Sequence, residues 1–246
     1  MSLLWRNKQL RIGLAPDRIY VSGGRAIELA VSDGSWNVPL AALPAALAGQ
    51  KGEASLVLAD QFVRYALLPW NETLKTREQW AALATHRFNT LHGPRATDWQ
   101  INVAETAPMG ARLACAVDRT LINQLAEIFV QANIRLASVQ PFLVHAYNRI
   151  RKSVGNGSCW IVVEEPGRLT LALIQRGMWI AIRSRRVDSG WRNALPEILE
   201  RESAFLGLAQ PITRVIVCAQ REFDVEMHDA WRAEALAYRE LALAAE

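Results

Sequence analysis

The chain has 246 residues, 51% of them apolar and 21% charged, with a net charge of +4 and an isoelectric point near 9.2. That length and balance exclude a disordered, collagen-like or disulfide-scaffold protein and suit one large domain or two coupled lobes. Between Asp33 and Lys51 lies the longest uncharged stretch, whose two prolines exclude a bilayer span, and Leu3-Leu4-Trp5 before Arg6 is too short for a signal-peptide core, so a cytoplasmic protein without direct membrane insertion is expected.

The first thirty residues read as a three-strand meander. Arg11–Leu14 leads through a turn at Ala15-Pro16-Asp17 to Arg18–Ser22, and Gly23-Gly24 turns the chain into Ala26–Val31. An insertion of about eighty residues follows, read as 36–118. Its alanine- and proline-rich front, Val38–Gly52, precedes strands at Ser55–Ala59 and Phe62–Leu68. Thr76 and Gln79 have the spacing of a capping box for a helix carrying Trp80, Leu83, Ala84, Phe88 and Leu91, ended by Gly93-Pro94. Trp99–Val103 and Arg112–Val117 complete a small α+β subdomain. Asp118 then caps a helix with Leu121, Leu125 and Phe129 on one face, Arg135–Val139 reads as a strand, and Pro141 suits the first position of another helix.

After Gly155-Asn156-Gly157 the meander recurs. Cys159–Glu164, Leu169–Leu173 and Met178–Arg183 are strands separated by Glu165-Pro166-Gly167 and Arg176-Gly177. Ser189 can cap a helix from Trp191 to Leu206, Thr213–Ala219 is a β-branched strand, and the alanine-rich Val225–Ala244 reads as a closing helix. The order strand, strand, strand, helix, strand, helix therefore occurs twice. The division expected is a first lobe over 1–151, carrying the insertion, and a second over 152–246.

Little else in the sequence carries chemistry. Arg183-Ser184-Arg185-Arg186 is the dense basic cluster, but the other arginines are scattered and the tryptophans lie in apolar stretches, which disfavours nucleic acid as a partner. Cys115, Cys159 and Cys218 stand in strand-like runs without a C-x-x-C and read as reduced, buried thiols. The four histidines have no metal-ligand spacing, so no metal site is expected, and His145 should pack in a helix beside Phe142 and Tyr147. No G-x-S-x-G, P-loop or dinucleotide fingerprint occurs, and no catalytic residues are assigned.

The doubled order resembles the actin-like, ribonuclease H-like α/β plan of two lobes, here with an inserted α+β subdomain and a reduced second lobe. The run from Ser55 to Trp70, the helix and strands after it, Ala116-Val-Asp-Arg119 and Ala132–Leu143 resemble the PilM family of type IV pilus assembly proteins. The cytoplasmic part of the type II secretion protein GspL is similar. The resemblance implies a cytoplasmic scaffold for a pilus or type II secretion-like machine, recruited by the tail of an inner-membrane assembly protein. In PilM-like proteins the groove between subdomain and first lobe takes such a tail. Phe62–Leu68 is the expected edge strand for it, with Arg64 and Arg87 as expected partner-binding contacts.

The nucleotide turns of that fold are altered. Ala15 stands where an Asp would organise Mg²⁺, and Pro16 removes an N–H donor. Glu164-Glu165-Pro166-Gly167 replaces a second Asp-x-Gly turn, and Cys218-Ala219-Gln220 replaces a Gly-Gly pair. From Arg186 the chain runs straight into the next helix, where nucleotide-binding members usually insert another subdomain. The expectation is no cofactor. The alternative is an ATP-binding or ATP-hydrolysing protein holding Mg and ATP through Asp17, Glu164 and Gly167.

Overall fold

β-Branched and leucine-rich runs build three sheets in the computed structural model, which describes residues 9–23, 26–29, 34–105, 110–208, 210, 212–219 and 232–237. The first sheet begins with β1 (Leu10–Ala15), β2 (Arg18–Val21) and β3 (Ile27–Glu28), an antiparallel meander. Helix α1 (Asn37–Ala46) follows, buries Leu40 and Leu43, and holds Pro44 inside it. β4 (Gly52–Leu58) then pairs parallel to β1, and β8 (Ile134–Pro141) pairs parallel to β4, giving the order β3-β2-β1-β4-β8.

Between β4 and β8 the chain builds a second, smaller unit. β5 (Val63–Leu68), β6 (Trp99–Val103) and β7 (Arg112–Asp118) form an antiparallel sheet in the order β5-β7-β6. Helix α2 (Arg77–His92) covers one face, burying Trp80, Ala84 and Phe88 against Ala66, Leu68, Ala114 and Ala116. Its capping box forms as expected, with Gln79 N donating to Thr76 Oγ1 at 3.3 Å and Thr76 N to Gln79 Oε1 at 3.0 Å. Helix α3 (Arg119–Gln131), capped by Asp118 accepting from Thr120 N at 2.8 Å, returns to β8.

Helix α4 (Phe142–Val154) leads into the second large sheet. β9 (Ser158–Glu165), β10 (Arg168–Gln175) and β11 (Met178–Arg186) form its meander; α5 (Trp191–Phe205) and β12 (Arg214–Ala219) follow, with β13 (Arg232–Ala237) parallel to β12. The order β11-β10-β9-β12-β13 repeats that of the first sheet. α4 packs between the two, its Phe142, Leu143, Ala146 and Ile150 meeting Tyr20 and Val57 on one side and Cys159, Ile161 and Ile216 on the other.

The duplication is thus present, but several assignments change. Residues 232–237 form a strand, whereas a helix is expected over Val225–Ala244; alanine-rich composition favours helix, and pairing with the β-branched β12 overrides it. The other residues of that expected helix lie outside the described residues. The segment 36–58 is not part of the insertion, because α1 and β4 belong to the first lobe, with α1 corresponding to α5, β4 to β12 and β8 to β13. The third strand is only Ile27–Glu28, and residues 30–33 lie outside the described residues. Pro141 is the N-cap of α4 rather than its first residue, and the N-cap of α5 is Gly190, with Asp188 Oδ1 instead of Ser189 accepting from its N–H at 2.9 Å.

All three cysteines are free; Cys159 and Cys218 are buried, and Cys115 is half-buried. Burial pushes every one of the thiols up, Cys159 to about 11. A thiol-specific chromophore is therefore expected to react slowly with the folded protein and with three groups once it is unfolded, and reductant should leave Tm unchanged.

Candidate functional site

The junction between the lobes is organised by an acid that the sequence hides in an apolar run. Asp60 follows β4 in a single 3-10 turn, Asp60–Phe62, and is only 2% exposed. Its Oδ1 accepts from the Tyr65 hydroxyl and, at 3.1 Å, from Leu143 N in the first turn of α4. Its own N–H donates at 2.7 Å to Oε1 of Glu165, at the end of β9 and 1% exposed. Gln61 Nε2 adds a second bond across the junction, to Pro166 O at 3.0 Å. Burial pushes Asp60 up to about 6, against the donors Tyr65 and Leu143 and the positive charge of Arg168. Burial and the Asp60 charge raise Glu165 well above the usual carboxylate range. Asp60 Oδ2 and Glu165 Oε2 are buried without a hydrogen-bond partner, so protonated carboxyls suit this pocket better than two anions.

The turns expected to cradle phosphate sit near this junction with their groups engaged elsewhere. Asp17 Oδ2 is held by Arg18 at 2.7 Å, and the Asp17 carbonyl accepts from Leu29 N. Glu164 is half-buried, whereas its neighbour Glu165 points into the shared core, in phase with Val163, Ile161 and Cys159. Gly167, at φ +71°, completes a Pro-Gly turn, and its carbonyl accepts from Val187 N at the end of β11. Cys218 and Ala219 are buried at the end of β12. Two prolines without N–H and an Asp tied to Arg18 are a poor match for a magnesium nucleotide. No group of three or more His, Cys, Asp or Glu among the described residues is placed to hold a metal ion.

A different concavity is well formed. The face of the inserted sheet opposite α2 looks across at β8 and α4 and encloses a groove of about 520 Å³. Cys115, Val117, Ile122, Val139 and Val144 give it an apolar floor, and Gln100, Asn102, Gln140 and Asn148 supply carboxamides. Among the described residues β6 and β8 are both edge strands, and both supply residues to the groove. It adjoins a second hollow of about 250 Å³ that reaches Tyr147, Met178 and Trp179. None of these lining residues is Arg64 or Arg87. Arg64 is half-buried, donates to the carbonyls of Gln61 and Val63 at 3.0 and 2.9 Å, and has its pKa lowered by burial and by Arg168. Arg87 is exposed on α2. β5, the expected docking edge, lies against β11 of the second lobe instead of open solvent.

Two five-stranded sheets of the same order, with a helix shared between them, decide the fold. The chain has the actin-like ATPase fold. No family model matches the chain, and no curated protein sequence does. Among solved structures it is similar to a PilM-PilN type IV pilus biogenesis complex, at 11% identity over 97% of this chain and 90% of that one, with a TM-score of 0.68. It is also similar to the cytoplasmic domain of EpsL, an inner-membrane component of the type II secretion system of Vibrio cholerae, at 10% identity, 95% and 92% coverage and a TM-score of 0.58. A Bacteroides thetaiotaomicron protein described as having an actin-like ATPase fold and unknown function matches at 15% identity, 91% and 86% coverage and a TM-score of 0.56. The actin-like chain therefore resembles PilM and EpsL in structure, and no described helix is long and apolar enough to cross a membrane.

Because the folded state raises the Asp60 pKa from 3.8 to about 6, it holds a proton that the unfolded chain releases earlier. This contribution is complete below the lower value and is lost as pH rises through the upper one. Thermal stability should therefore fall between about pH 4 and about pH 7. Asp60→Asn, which keeps the acceptor for Leu143 and Tyr65, should make that slope shallower and leave the part that comes from the buried Glu165. Asp60→Ala strands both donors and should destabilise by about 2–4 kcal/mol, read from denaturant midpoints.

Proposed function

We propose that this chain is a non-catalytic assembly protein on the cytoplasmic side of an inner membrane. Its partner is the extended cytoplasmic tail of a membrane protein in a pilus or type II secretion-like machine. The observation that carries this reading is the groove bounded by the edge strands β6 and β8. An extended segment laid there finds main-chain donors and acceptors at the edges, carboxamides that can read its backbone, and apolar space for alternate side chains. The likeness to PilM in a complex with PilN, and to the cytoplasmic domain of EpsL, supports the same class of role.

The competing reading, ATP binding through Asp17, Glu164 and Gly167, has less support. Asp17 is committed to Arg18, and neither the groove nor the hollow beside it touches residues 15–17 or 164–167. Millimolar Mg-ATP is expected to leave Tm unchanged, since stabilisation scales with RT ln(1 + [L]/Kd). A clear shift abolished by Glu164→Ala would restore the ATPase reading.

Synthetic peptides covering the cytoplasmic tails of candidate membrane partners, followed by fluorescence anisotropy, test the tail site. Val144→Arg, which places a charge in the groove, is expected to weaken binding about tenfold or more, a loss of at least 1.4 kcal/mol. An Arg64→Glu, Arg87→Glu double variant should bind nearly as well as the parent. The opposite pattern would move the interface to the α2 side.

A further inference from the structure

A single carboxyl group lies behind the groove and holds both of its walls. In the inserted sheet Tyr65 stands opposite Cys115, and Cys115 opposite Asn102. The three side chains therefore form one row across β5, β7 and β6, on the face turned away from α2. Cys115 and Asn102 line the groove, and Tyr65 ends the row behind them. The facing wall comes from β8 and α4, where Pro141 and Val144 line the groove on either side of Phe142 and Leu143. Leu58, two residues before Asp60, lines it as well.

Asp60 Oδ1 accepts from both sides of the groove, from the Tyr65 hydroxyl and from Leu143 N at 3.1 Å. The acceptor is itself fixed, because Asp60 is buried and its own N–H donates to Glu165 Oε1 at 2.7 Å. Tyr65, Leu67, Leu113 and Cys115 also pack with Leu143 and Val144 in one apolar cluster. Apolar packing has no preferred direction, whereas a hydrogen bond fixes both a distance and an angle. β5 leaves the Asp60–Phe62 turn directly, so the Tyr65–Asp60 bond sets the angle at which the inserted sheet departs from the first lobe. The Asp60–Leu143 bond sets α4 against the same point.

We propose that Asp60 is a positioning residue of the groove, holding the inserted sheet and α4 at the spacing that admits an extended chain. This rests on the reading of the groove as a tail site. Asp60 touches no bound chain itself, since it does not line the groove; it acts through Tyr65 on one wall and Leu143 on the other. Releasing the Tyr65 hydroxyl frees the Tyr65–Cys115–Asn102 row from α4 and widens the groove, with the two sheets left intact.

The test uses the whole chain and follows modification by N-ethylmaleimide at each of the three cysteines, by mass spectrometry of their peptides. Cys115 lines the groove, whereas Cys159 and Cys218 are buried in the second large sheet. Tyr65→Phe removes the hydroxyl and keeps the ring, the Asp60 carboxyl and the cap of α4. It is expected to raise the rate at Cys115 about fivefold and to leave Cys159 and Cys218 as in the parent. Asp60→Asn and Asp60→Ala both remove the charge near Cys115, so the faster reaction expected of the Ala variant reports the lost acceptor alone. A candidate tail peptide that binds the parent should bind Tyr65→Phe about fivefold more weakly. If no candidate tail binds the parent, the tail reading falls, and the Cys115 rates still decide whether Asp60 sets the groove. If Asp60→Ala fails to fold, Tyr65→Phe decides alone. An unchanged Cys115 rate in folded Tyr65→Phe protein, a rise shared by all three thiols, or undiminished tail binding would overturn the proposal.

Discussion

The architecture depends on where the first turn of α4 finds its acceptor. Pro141 precedes that helix and has no side-chain hydrogen bond to offer, so the cap comes from Asp60, 83 residues away in sequence from the Leu143 N–H it accepts. The same carboxylate takes the Tyr65 hydroxyl from the inserted sheet, and the backbone of the same residue donates to Glu165 in the second lobe. One buried residue thus touches the first lobe, the insertion, the central helix and the second lobe. A buried acid is tolerated because its charge is matched by donors or removed by a proton, and leaving those donors unpaired would be the costlier outcome.

The central helix explains why two sheets behave as one body. α4 is apolar on opposite flanks, so it fills the space between the sheets instead of covering one of them. The junction between the sheets is then closed by side chains: Phe142, Leu143 and the Asp60–Glu165 contact.

Much of the fold was legible in the sequence because β-strand alternation is local. The two meanders, the capping box at Thr76 and the Asp118 cap all rest on contacts within a few residues. What was illegible depends on distant partners. α1 carries Pro39 and Pro44, which mask its helical pattern in the sequence, and its leucines show their role only against the first sheet. β13 is alanine-rich and becomes a strand only because β12 offers a parallel edge. Glu164 and Glu165 are equivalent in composition; the phase of β9 separates them, and that phase could have been read from Cys159, Ile161 and Val163. Asp60 gave no signal beyond being a charge amid Leu58, Ala59, Phe62 and Val63, since its partners come from three other segments. Arg64 and Arg87 carry the charge expected of contacts to a tail, whereas the groove is lined by amides and apolar residues and by neither arginine.

The recessed position of the two edges has a consequence for solubility. An open strand edge invites any other strand, and proteins usually protect it with charge or cover. The first half of β8 does so with Arg135, paired to Glu53. The second half, Val139–Pro141, instead faces the inserted sheet across the groove. A strand that pairs with this second half must first enter the groove, so access to its backbone is governed by the shape of the groove and not by surface charge.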